Sequence, residues 1–197
     1  FLTLVKSNVV GESGPLLQSR VMLPNGKPDI KARKAIESAW LKWGRYGTPD
    51  ITGTKTWLQM QNDYWQQVMM DGEHIAVEMP TSENEFGFRL QIVDPMMLDV
   101  SYSNDLKNGN YIKESIEYNS VGKPLNYHFL VSDQSQDHYT MHGKHYQIIP
   151  ASRVYHSFLP DFINQRRGVP AVAAALLRLG MLDGYTEAEL VAARVGA

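Results

Sequence analysis

The chain has 197 residues, 43% hydrophobic and 20% charged, with 19 Lys and Arg against 21 Asp and Glu and a net charge of -2. That is an ordinary globular composition: it excludes wholesale disorder, and its bulk charge selects neither nucleic acid nor a membrane surface. There is no cysteine, which removes disulfides, zinc-thiolate sites and cysteine nucleophiles together. The charge is unevenly spread. Residues 1–60 carry nine cations against four anions, residues 61–140 four against thirteen, and the remainder six against four. No apolar run approaches the roughly 20 residues that span a bilayer. The chain opens on Phe1 without a signal-peptide pattern and closes inside a helical run, so both ends read as cut.

In chain order, Phe1–Gly11 and Leu16-Leu17-Gln18 read as short extended apolar pieces. Pro24-Asn25-Gly26-Lys27-Pro28 is a loop signal. Asp29 then stands where an N-cap belongs, and Ala32, Ala35, Ile36, Ala39, Trp40 and Trp43 recur at helical spacing. The cations Lys31, Arg33, Lys34, Lys42 and Arg45 fall mostly off that stripe and read as a solvated face. A second helix is expected after a Thr54 cap, with Leu58, Gln61, Tyr64, Trp65, Val68 and Met69 in register, stopped by Asp71-Gly72. Two successive Trp-bearing helices predict a packed pair.

From Glu73 the period becomes two. Ile75, Val77 and Met79 alternate, then Phe88, Leu90 and Ile92, then Leu98, Val100 and Tyr102, and later Leu125, Tyr127, Phe129 and Val131. Val154–Phe158 reads as a last strand. Pro170 suits a first helical turn, and an Ala/Leu-rich run follows. Asp183-Gly184 and the capping-box pattern Thr186–Glu189 leave open one kinked helix or two. The expected class is α+β: an N-terminal helix pair, a central antiparallel β-sheet or small barrel, and a long C-terminal helix. Divisions are expected at 1–72 (strand and two helices), 73–160 (β-rich) and 161–197 (joint and helix).

Catalytic motifs are scarce. His138, His142 and His145 have chelating spacing but sit in a polar loop with no acidic partner, so solvated histidines are the default and a metal-dependent hydrolase or nuclease the alternative. No P-loop and no nucleophile elbow occur. Asp71 with Glu73, and Glu83 with Glu85, read as soluble turn carboxylates rather than acid/base dyads. No cofactor, metal or catalytic residue is expected, and the chain reads as a non-enzyme.

Seven phrases in order resemble the portal proteins of tailed bacteriophages of the lambda type. They are Asn8-Val9-Val10-Gly11; Ala39-Trp40-x-x-Trp43; Met70-Asp71-Gly72-Glu73; Leu90-Gln91-Ile92-Val93-Asp94-Pro95; Ile116-Glu117-Tyr118 to Gly122-Lys123-Pro124; Ile149-Pro150-Ala151 to His156; and Gln165-x-Arg167-Gly168-Val169-Pro170 with Glu187-x-Glu189-Leu190. Ser115 and Asn164 stand where that family carries glycine, which implies local turn differences. The resemblance implies a wing-like piece of a ring, usually a dodecamer, at one capsid vertex. Such a ring passes double-stranded DNA without reading its sequence. It meets the terminase large subunit, the major capsid protein and head-tail completion proteins, and involves no membrane. Its place would be the virion, and the host cytoplasm during assembly. It also implies that Arg166 and Arg167 contact either DNA phosphate or, preferably, carboxylates of the adjacent subunit, around a hinge of Gln165, Gly168 and Pro170.

Overall fold

A computed structural model describes residues 2–106, 108–131 and 145–195. Three layers make up the fold: a helix pair, a three-stranded sheet and a five-stranded sheet. Helices α2 (Ile30–Trp43) and α3 (Trp57–Met70) follow a short N-terminal helix α1 (Leu2–Val5), which runs into a wide turn over Lys6–Val10. The first sheet has the order β2-β1-β8, from β1 (Glu73–Pro80), β2 (Phe88–Val93) and β8 (Val154–Phe158). The second runs β3-β4-β5-β6-β7: Asn104–Asp105, Tyr111–Lys113, Ile116–Tyr118, Pro124–Leu130 and Tyr146–Pro150. Every pairing inside the two sheets is antiparallel. The α+β expectation holds, with two sheets in place of one.

Strand β1 is the middle of the molecule. Its alternation puts Ile75 and Val77 on one face, where they join Leu98, Ile116, Tyr118, Tyr127, Phe129 and Ile149 in the core between the sheets. His74 and Ala76 point the other way, toward the helices, and line a trough with their aromatic side chains. A strand buried on both faces ties the layers together. Gln67 of α3 reinforces that tie: its Nε2 donates to the Val93 carbonyl at 3.2 Å, and His74 Nδ1 donates to its Oε1 at 2.6 Å.

The helix caps explain where α2 and α3 begin. Asp29 accepts from the Ala32 N–H at 2.9 Å, as expected. The second cap is Thr56, not Thr54: Thr56 and Gln59 form a reciprocal capping box, while Thr54 and Thr52 hydrogen-bond the Asp50 carboxylate. On α2 only Trp43 is fully buried, and Ile36 of the expected stripe is exposed. Trp43 nonetheless anchors the layer. Its ring lies 5.3 Å from both Trp57 and Phe88, and Trp40 lies 5.6 Å from Trp57.

Three expectations change. The N-terminal piece is helical rather than a strand: Asn8 Nδ2 donates to the Leu4 carbonyl at 2.7 Å, and Val10 is buried. Residues 14–20 form neither helix nor strand. The Leu98–Tyr102 alternation is also not a strand. Asp94 caps a 3-10 turn at Pro95–Met97, and Asp99 takes the Ser101 N–H at 2.9 Å, so Leu98 is buried while Val100 is 68% exposed. Last, helix α4 (Ala173–Val195) is one uninterrupted helix. Thr186 Oγ1 donates back to the Leu182 and Asp183 carbonyls, so it serves the helix interior and caps nothing.

Replacing Trp43, which is 4% exposed, with alanine removes the ring shared by α2, α3 and β2. A loss of about 3–5 kcal/mol is expected. Denaturant unfolding followed by far-ultraviolet circular dichroism checks it.

Candidate functional site: the joint before the terminal helix

Between β8 and α4 the chain makes an irregular loop over residues 159–172 that crosses the start of β1. Gln165 braces the turn, accepting from the Asp161 N–H at 2.6 Å and donating to the Arg167 carbonyl at 2.8 Å. Asn164 has φ 66°, as does Ser115 in the β4–β5 turn. These two positions keep the left-handed backbone that glycine favours, although neither is glycine. Ser115 is fully buried, its hydroxyl donating to the Asp99 carbonyl at 2.9 Å.

The next residues converge on one carboxylate. Arg167 donates to Glu73 through Nε at 2.8 and 2.9 Å and through one terminal nitrogen at 2.5 Å. The same guanidinium reaches the Pro95 carbonyl at 3.1 Å and that of Leu98 at 3.2 Å. The Gly168 N–H donates to Glu73 Oε2 at 2.9 Å, and His156 Nε2 does the same at 2.9 Å. On the other side of the ring, His156 Nδ1 lies 3.4 Å from the Tyr127 hydroxyl. Glu73 is not a turn carboxylate: its side chain is 3% exposed.

The backbones at this crossing touch. A Cβ on Gly168 would run into the Gly72 carbonyl, and one on Gly72, whose φ is 87°, into the Val169–Pro170 peptide. Both glycines are required by this close approach. Helix α4 starts at Ala173, whose N–H donates to the Pro170 carbonyl, so Pro170 sits just ahead of the first turn. Arg166 takes a separate seat: its guanidinium lies 4.1 Å from the Tyr118 ring centroid and 5.2 Å from that of Tyr111, and donates to the Tyr111 hydroxyl at 2.8 Å.

The electrostatics follow from burial and donors. Burial alone would raise the Glu73 carboxyl, but hydrogen bonds from His156, Arg167 and the Gly168 N–H hold it down at about 2. Burial also pushes the Tyr127 phenol up, and it lowers His74 to about 4. Nothing here forms a nucleophile–base pair. The arrangement anchors a chain crossing.

Of the five predicted residues, Gln165, Arg167 and Gly168 meet at the joint, Pro170 closes it, and Arg166 sits beside it on two tyrosines. Sequence reasoning missed Glu73, His156 and Tyr127. His138 and His142 lie outside the described residues, and His145 is exposed. Among the described residues no group of three or more His, Cys, Asp or Glu is placed to hold a metal, and no helix is long and apolar enough to cross a membrane.

The model of the lambda family of phage portal proteins matches residues 1–197. The chain belongs to that family. A curated relative, the probable portal protein of Halomonas phage phiHAP-1, is 29% identical over 197 residues, which is 100% of this chain. The chain spans 38% of the length of that portal protein. Neither likeness supports the metal-dependent hydrolase.

Acid should weaken this portal chain in two stages. His74 binds a proton more readily when unfolded, so stability declines as pH falls below the ordinary 6.5 toward 4. Glu73, whose folded pKa lies below the ordinary 4.5, contributes fully above 4.5, and that contribution disappears as pH falls to about 2. Glu73→Gln should cost about 3–5 kcal/mol at neutral pH, because Arg167 is left buried without its anion, and should flatten the lower stage. Urea midpoints measured from pH 7 to pH 2 check both statements.

Proposed function

We propose that this chain is the wing-like part of a portal subunit, held at the joint so that α4 leaves it in one direction toward a channel-forming stem. The supporting observation, beyond family membership, is the state of α4. Leu176, Leu179, Met181, Leu182, Tyr185, Leu190, Val191 and Val195 are all exposed. At 100° per residue these positions fall all around the helix rather than on one stripe. Apolar side chains on every side of a helix, here with Arg178, Asp183, Glu187, Glu189 and Arg194 among them, suit neighbours on more than one side. Closed ring symmetry supplies that arrangement, since each copy has two flanking copies.

On this reading the assembled protein is a ring at a capsid vertex, in the virion and, while it assembles, in the host cytoplasm. Double-stranded DNA passes through it without sequence recognition. The terminase large subunit, the major capsid protein and head-tail completion proteins meet its outer surfaces. The chain supplies structure and no catalysis. Arg167 is used within the chain, with four of its five N–H donors taken by Glu73, Pro95 and Leu98. Among the described residues Arg166 donates to the Tyr111 hydroxyl and lies over the Tyr118 ring, and we propose that its remaining donors meet a neighbouring carboxylate or a phosphate.

Mass photometry of the complete protein should give one high-order closed oligomer, a dodecamer for a ring of the usual size. A protein that stays monomeric under assembly conditions overturns the proposal. Arg166→Ala should lower the assembled fraction without changing the unfolding free energy by more than about 1 kcal/mol, which a loss of cation–π stacking alone would set.

A further inference from the structure

Two backbones with unmet hydrogen bonds lie along the same trough. The trough, about 700 Å³, runs between the helix pair and the first sheet. Its wall is aromatic, with Trp40, Trp43, Trp57, Tyr64, Trp65 and Phe88. One rim is β8, represented by Tyr155 and Ser157; the other is the segment Pro15-Leu16-Leu17. Strand β8 is an edge: it pairs with β1 on one side, and on its outer side no backbone partner exists among the described residues. Residues 12–20 make no backbone–backbone hydrogen bond among the described residues; the Ser19 N–H goes to the Glu37 carboxylate instead.

An unpaired edge is a template for an added strand, whose alternate side chains enter whatever pocket borders it. The segment has the matching chemistry. Its Leu16 and Leu17 are exposed. It also has swivel points, Gly11 and Gly14, with φ values of 70° and 66°. Within one chain the two backbones border the same trough and yet do not pair; among the segment's backbone N–H groups Ser19 is bonded, to the Glu37 carboxylate, and no ladder forms with β8. A second copy has no such tether. Trp43 Nε1 and Gln61 Oε1, both in the trough wall, are buried without hydrogen-bond partners, which marks this wall as incompletely satisfied in the single chain.

We propose that β8 of one copy receives the Pro15–Arg20 segment of a neighbouring copy as an added strand, with one of its two adjacent leucines entering the aromatic trough and the other facing away. This rests on the ring reading and names one of its contacts. It is an exchange of an identical element between protomers, which needs no surface beyond those the chain already has.

The absence of cysteine makes the test direct. Leu17→Cys and Tyr155→Cys, both at exposed positions, are introduced separately into the complete protein, and the two variants are mixed under assembly conditions and oxidised. A disulfide requires Cα atoms about 4.4–6.8 Å apart, so it reports close strand pairing. The expected result is a covalent dimer of one variant with the other, and a ladder of multimers when both substitutions are in one chain. A double variant that closes only an intramolecular disulfide, with none in the mixture, overturns the exchange. So does an intact ring, by mass, in which no disulfide forms. A cysteine-free parent that remains monomeric overturns the ring reading itself and the exchange with it. Unchanged circular dichroism spectra of both variants exclude misfolding as the cause of a negative result.

Discussion

One buried carboxylate sets the geometry of the carboxyl-terminal third. Glu73 begins β1, and it is met by a guanidinium, a backbone N–H and an imidazole brought from residues more than eighty positions away. A carboxylate this deep would be costly without such donors, since desolvation favours its neutral form. The donors reverse that preference. Each partner is also oriented by another group: Arg167 by two carbonyls, His156 by Tyr127, and Gly168 by contact with Gly72. The crossing therefore has one arrangement, and the direction in which the chain leaves it is fixed by the same bonds.

The sequence pattern carried the layers but not their junctions. The period-two runs of β1, β2 and β6 and the capped helix α2 follow from local spacing, so they were legible. The Leu98–Tyr102 alternation misled because Asp94-Pro95 and Asp99 satisfy the backbone locally, and a run of alternating side chains says nothing about where its main-chain bonds go. The amino-terminal piece misled in the opposite sense. Its β-branched Val9-Val10 suits a strand, yet packing against α3 takes precedence over propensity. Thr54 was the expected cap, but its hydroxyl serves Asp50, and Thr56, with Gln59 three residues on, caps the helix.

The joint was half legible. Gln165, Gly168 and Pro170 announce a turn by composition, and two consecutive arginines announce a charge to be matched. The matching anion lies in the Met70–Glu73 phrase, ninety-four residues earlier than Arg167. Nothing in a local window can show that. The only signal was indirect: both phrases are among those shared with the portal family, and an acidic residue directly after a turn glycine sits beside the strand start. His156 and Tyr127 were hidden for the same reason, as members of alternating strands whose inward face could be assigned only after the two sheets were seen to stack.

The position of β1 between β2 and β8 has a mechanical consequence. Any pull on α4 arrives, through Arg167 and Gly168, at the first residue of a strand that is zipped to a neighbour on each side. An edge strand can peel away one bond at a time, but a central one moves only when two ladders shear together. The helix is thus moored to the stiffest member of the sheet, and force along it spreads through all three layers before any single contact must yield.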